Sequence, residues 1–184
     1  IYTDLMRKFR NEGHEVFIVS PVERRFNQKT NLKTSEGVHI LRIKTLNIQK
    51  TNSIEKGIST LLMEYLFRKG IKKYFPSVKF DWILYSTPPI TFTSIIRYIK
   101  HRDGARSYLL LKDIFPQNAV DLNMIKAGSI LHHYFRREEK QLYRVSDFIG
   151  CMSPANVDYV IRYNPEIDPQ IVEVNPNSIE PYVN

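Results

Sequence analysis

The chain has 184 residues, 42% hydrophobic and 25% charged, a balance that suits one globular domain with a real core and excludes a disordered chain. Its formal charge of +8 favours anionic partners, and the sign alone does not choose among phosphorylated small molecules, an anionic membrane surface and nucleic acid. One cysteine, Cys151, excludes an internal disulfide, and no apolar run approaches the roughly 20 residues that span a bilayer.

The first residues already carry helical spacing, with Ile1, Leu5, Met6 and Phe9 on one face. With no initiator methionine and no signal core, the chain reads as a fragment cut at its front. The helix is predicted to stop at Asn11-Glu12-Gly13-His14, with Gly13 as a left-handed cap, and residues 15–20 follow as a strand. Residues 24–36 are polar and read as loop. Residues 38–44 alternate as a strand near a sheet edge, and 54–75 form a long helix.

Residues 82–86 are a short buried strand, 90–100 a helix, and 107–112 the most apolar run, hence a central strand. Residues 128–144 read as an amphipathic surface helix leading into a strand over 148–152, where Cys151 is a small buried residue rather than a nucleophile. Ser153 caps a helix opening with Pro154, and 171–174 is the last strand. Strands alternating with helices predict an α/β fold: a Rossmann-like, doubly wound, mostly parallel sheet with helices on both faces.

Five apolar runs end on proline, at Ser20-Pro21, Thr87-Pro88, Phe115-Pro116, Ser153-Pro154 and Asn175-Pro176. Proline lacks the ladder N–H and extends the residue before it, so each pair marks a strand end. If the strands are parallel, those ends share the rim where ligands bind in open α/β sheets. The charged pair Lys112-Asp113 follows four apolar residues and must surface there. Buried without partners it would cost several kcal/mol, so it is solvated, mutually satisfied or facing a ligand. Ser86 and Thr87 could hold a sugar hydroxyl or a phosphate, or simply cap backbone donors, and Ser153 admits the same two readings.

No Gly-x-Gly-x-x-Gly or Walker loop is present, which argues against a dinucleotide or ATP site. His14, His39, His101, His132 and His133 lack metal-site spacing, so no metal is expected. Basic residues gather at Lys56, Arg68, Lys69, Lys72 and Lys73, beside Leu61, Leu62, Tyr65 and Phe67, and again at Arg136, Arg137 and Lys140. The long helix either packs on the sheet or lies on an anionic leaflet. No nucleic-acid motif accompanies the charge.

With Gly13-His14-Glu15-Val16, Ser86-Thr87-Pro88-Pro89, Lys112-Asp113-Ile114-Phe115-Pro116 and Ser153-Pro154-Ala155-Asn156 in this order, the chain resembles the N-terminal half of family 4 glycosyltransferases, nearest to enzymes of bacterial capsule and O-antigen assembly. The stretch Val174-Asn175-Pro176-Asn177-Ser178-Ile179-Glu180 is similar to the family's entry into its second domain, with Ser178 in place of a glycine.

The resemblance implies a GT-B fold whose first strand is missing here. Residues 1–174 would form the acceptor-side domain and 175–184 the start of a linker to an absent nucleotide-sugar-binding domain. It implies retaining transfer of a sugar from a nucleotide-sugar donor to a saccharide or lipid-linked saccharide. No cofactor or metal is needed. The setting would be cytoplasmic, at the inner membrane face, and the fragment alone would be inactive. Asp113 would be the catalytic residue, with Lys112, Ser86, Thr87 and Gln117 on the acceptor and Ser153 and Asn177 as candidate donor contacts. Where many relatives carry histidine before the acid, Lys112 makes any contact cationic. The alternatives are a nucleotide-sugar epimerase of the same two-domain layout and a non-catalytic basic module binding anionic lipid or nucleic acid.

Overall fold

A computed structural model describes residues 2–48 and 53–177, with backbone alone for 53–58. Position 1, Ser178, Ile179, Glu180 and the rest of the expected linker lie outside the described residues, as does the side chain of Lys56. The chain forms two compact units, one running up to Val78 and the other comprising Lys79–Pro176.

In the first unit, helix α1 (Tyr2–Asn11) stops where the sequence predicts, at Gly13, whose φ of 90° only glycine adopts freely. The His14 N–H donates back to the Phe9 carbonyl, closing the end of the helix. Strand β1 (Val16–Glu23) then pairs parallel with β3 (Val38–Thr45), and β2 (Asn31–Ser35) pairs antiparallel with β3.

This unit departs from the sequence expectation in three places. Pro21 lies inside β1 instead of ending it, because the order β1-β3-β2 makes β1 an edge strand, where a missing N–H costs no ladder bond on the open side. Strand β3 is central rather than near an edge. Within 24–36, expected as loop, β2 is a strand; its side chains are mostly exposed and polar, so they carry no apolar alternation. The turn residues Glu36 and Gly37 both have positive φ, the geometry of a two-residue hairpin, and Glu36-Gly37 was its signature. Helix α2 (Ser53–Tyr74) packs on β3 through buried Met63, Phe67 and Ile71. A Cβ on Gly70 would lie 2.5 Å from Ile43 Cδ1, so glycine is what lets helix and sheet approach.

The second unit holds a four-stranded, wholly parallel sheet flanked by helices, as expected of a Rossmann-like fold, but β1, β3 and β2 form a sheet of their own instead of joining it. Strands β4 (Trp82–Ser86), β5 (Arg106–Leu111), β6 (Phe148–Cys151) and β7 (Val172–Val174) are adjacent in that order and all parallel. Parallel neighbours need crossovers, supplied by α3 (Thr93–Asp103), α5 (Ile130–Val145) and α6 (Pro154–Tyr163), with the short α4 (Gln117–Asp121) after β5. The helix α3 starts three residues later than expected, and α4 was not anticipated because five residues carry no helical period. The core comprises Leu109, Leu111, Ile149 and Cys151 with Leu142, Tyr143 and Val160 from the helices. Burying each large aliphatic side chain is worth about 1.5–3 kcal/mol.

Two polar knots lock this unit. Below the amino ends of β5 and β6, Asp147 Oδ2 accepts from Ser107 N at 2.8 Å, Ser107 Oγ at 2.9 Å and Lys100 Nζ at 2.6 Å. Burial pushes the Asp147 carboxyl up, but Lys100 and Ser107 outweigh it and hold the group below its ordinary range. Between α5 and the end of α6, buried Glu139 accepts from Arg136 and, at 2.8 Å, from Tyr143 Oη. Arg136 in turn donates to Tyr163 O at 2.6 Å and Asn164 Oδ1 at 2.9 Å.

Each knot has a test. A depressed carboxyl pKa contributes stability that is present above the unfolded value near 4 and lost as pH falls through the folded one. Thermal melts should therefore hold between neutral pH and about pH 5 and decline below about pH 4. Asp147→Asn should melt lower at pH 7, with the gap to the parent closing in acid. Glu139→Ala, which strands the Arg136 cation, should cost about 3–5 kcal/mol in urea unfolding, and Glu139→Gln should cost less.

Candidate functional site

Because β4 to β7 are parallel, their carboxyl ends lie along one edge, and four of the five proline marks stand there: Thr87-Pro88, Phe115-Pro116, Ser153-Pro154 and Asn175-Pro176. The edge is built around Thr87. Its hydroxyl accepts from Lys112 N at 3.1 Å and Asp113 N at 3.3 Å and donates to Asp113 O at 3.1 Å. Thr87 N–H donates to Leu110 O. One side chain thus satisfies the backbone of β5 just where the ladder stops, and the main chain of Lys112 and Asp113 is held while their side chains remain available.

Those side chains do not pair with each other or with any other charged group among the described residues. Asp113 is exposed. Lys112 is half-buried, and burial lowers its pKa, so its ammonium is short of solvation and suited to an anionic or polyhydroxylated ligand. Of the three possibilities the sequence left open for this pair, mutual satisfaction is the one the geometry removes.

The other predicted contacts divide. Ser86, at the end of β4, is half-buried at the same edge. Thr87 is 3% exposed, with its hydroxyl engaged by backbone groups, so it supports the edge from within. Gln117 is bound internally, donating to Asp121 Oδ1 at 2.7 Å and accepting from Tyr159 Oη at 3.2 Å. Ser153 caps α6, accepting from Asn156 N at 3.3 Å. Asn177 is exposed beyond β7 and outside the second unit.

A cluster the sequence did not announce sits over Gly150. Tyr108 Oη donates to Glu173 Oε1 at 2.5 Å and accepts from Asn175 Nδ2 at 2.8 Å. A Cβ on Gly150 would lie 2.5 Å from that phenol oxygen. Burial, then the bond to Glu173, pushes Tyr108 up to about 12, so it stays a phenol and can donate. Thr93, at the start of α3, keeps a buried hydroxyl with no hydrogen-bond partner among the described residues. Cys151 is fully buried and its thiol is raised to about 11, which makes it inert. Among the described residues no cluster of three or more His, Cys, Asp and Glu is placed to hold a metal ion, and no helix is long and apolar enough to cross a membrane.

The support role of Thr87 is testable by shape-matched substitution. Thr87→Val removes the hydroxyl and leaves two N–H groups and a carbonyl short of a partner, so it should cost about 1–3 kcal/mol. Thr87→Ser should restore most of that loss in the same urea titration.

No protein-family model matches the chain, and no curated protein matches it.

Proposed function

We propose that the chain is the acceptor-side half of a retaining glycosyltransferase that moves a sugar from a nucleotide-sugar donor to a saccharide, carried on a lipid, in cell-surface polysaccharide assembly. The observation that supports this reading is that Lys112 and Asp113, at the carboxyl edge of a parallel sheet, have no charged partner among the described residues while Thr87 fixes their backbone. Sequence resemblance adds the order of the four motifs. In this reading the bond from the sugar's anomeric carbon to the donor phosphate breaks as the bond to the acceptor oxygen forms. The acceptor proton passes to the leaving phosphate.

Asp113 then orients hydroxyls of the reacting sugars and opposes the positive charge that develops on the ring. Lys112, a compact cation with reduced solvation, meets an anionic group of the substrate. Ser86 at the same edge supplies a hydroxyl for a sugar contact. The donor would be held mainly by a second, nucleotide-binding domain.

The test uses the complete polypeptide with a labelled nucleotide sugar and a lipid-linked acceptor. Asp113→Asn should lower kcat by about 100-fold or more, the scale for removing a group that stabilises transition-state charge, and leave the melting temperature nearly unchanged. Equal turnover by the variant would remove Asp113 from the mechanism. Interconversion of the donor sugar without any acceptor would favour the epimerase and overturn the transferase reading.

A further inference from the structure

Between Leu122 and Arg137 the sequence contains no aspartate or glutamate, while it carries Lys126, Arg136 and Arg137 and a run of large apolar residues. In a soluble core those apolar residues would be buried. Here Leu122 is 69% exposed, Met124 70% and Ile130 92%, with Leu131 and Tyr134 exposed beside them. The exposure belongs to an ordered segment: Met124 and Ile125 N–H both donate to Ala119 O, Ser129 N–H to Lys126 O, and Ser129 caps α5 through His132 N. Contiguous exposed apolar side chains held in place are a binding surface in want of a partner.

The chemistry of the surroundings names the partner. Ile130, His133, Tyr134 and Arg137 follow one another at helical spacing on the outer face of α5, whose inner face buries Glu139, Leu142 and Tyr143. Further along, His133, Arg136, Arg137, Lys140, Gln141 and Arg144 line an open basic depression. Some of these cations are already matched, Arg136 by Glu139 and both Lys140 and Arg144 by Glu166. Lys126 and Arg137 have no ion-pair partner among the described residues.

Apolar side chains at the tip with unmatched cations behind them suit a surface that is apolar inside and anionic outside. A second copy of this chain fits poorly. An isologous contact would set one acid-free basic patch against another, on a molecule already at +8.

We propose that the segment from Leu122 to Arg137 docks the protein on an anionic phospholipid leaflet, with Leu122, Met124, Ile130 and Leu131 entering the acyl boundary and Lys126 and Arg137 meeting the headgroup phosphates. The mechanism is two-part. Apolar burial anchors the segment and charge selects the leaflet, so neither alone accounts for binding. The inference goes beyond the reaction proposed above and does not need it, because docking requires no sugar and no Asp113.

The test is co-sedimentation of the 184-residue chain with phosphatidylcholine vesicles, with or without phosphatidylglycerol. Binding should be at least about tenfold tighter on the anionic vesicles and weaken as salt rises from about 0.05 to 0.5 M. Ile130→Ser with Leu131→Ser should lower it by about tenfold or more at every salt concentration. Lys126→Ala with Arg137→Ala should lower it about fivefold per charge and flatten the salt dependence. All four positions are on the surface, so the melting temperature of each variant should match the parent.

Binding of the apolar double variant equal to the parent would overturn the proposal. So would failure of the parent chain to sediment with anionic vesicles. Concentration-dependent dimerisation abolished by Ile130→Ser, with no vesicle binding, would assign the patch to a second copy instead. Docking without turnover, or turnover without docking, tells which of the two readings has failed.

Discussion

Parallel pairing of β4 through β7 constrains everything that follows in the second unit. A parallel ladder cannot be closed by a tight turn, so each strand must be followed by a crossover, and every crossover begins at the same edge. That edge collects loops, whose polar groups are free of the ladder, while the opposite edge collects strand beginnings. The two edges are treated differently. At the beginnings, Asp147 Oδ2 accepts from Ser107 N and Ser107 Oγ and pairs with Lys100. At the ends, Thr87 satisfies main-chain groups alone, and the Lys112 and Asp113 side chains have no charged partner among the described residues. Satisfied charge stabilises, whereas charge left available is what a ligand needs.

Much of this edge was legible because proline acts through covalent geometry and needs no tertiary context. Four proline marks fall after strands of one sheet. Pro21 fails for a reason equally local, since an edge strand tolerates proline and nothing in the sequence of β1 says which strands are edges. Strand β2 was hidden because its sides are both polar, although Glu36-Gly37 carried the turn. Ser153 was readable as a cap because the group it bonds lies three residues on.

Contacts between distant strands were not legible. Tyr108, Gly150, Glu173 and Asn175 meet only because the registers of β5, β6 and β7 bring them together, and register is a property of pairing that no short window contains. For Thr87 the reading that its hydroxyl satisfies backbone donors is what the structure shows, but which donors was not legible, since they lie 25 and 26 residues away. Hydroxyls at strand ends are ambiguous in sequence for this reason. Charged residues there are less so, because a cation and a carboxylate following an apolar run have few places to go.

The positive charge of the chain divides along the same lines. Arg102, Arg136, Lys140 and Arg144 are matched by Asp103, Glu139 and Glu166 and serve the fold. Lys112, Lys126 and Arg137 have no such match among the described residues, and all three lie on one stretch that leaves β5 at the sheet edge, passes the apolar tip and runs into the first half of α5, where Phe135 packs on Phe115. Twenty-six residues thus carry both the candidate reaction edge and the candidate docking surface. An enzyme whose acceptor is tethered to a lipid must bring its reacting groups close to the leaflet that holds the acceptor. The segment between is tied at one end by the Thr87 hydroxyl, which accepts from Lys112 N, and at the other by the Ser129 cap on α5, so the two proposed roles would be carried on one continuous piece of backbone.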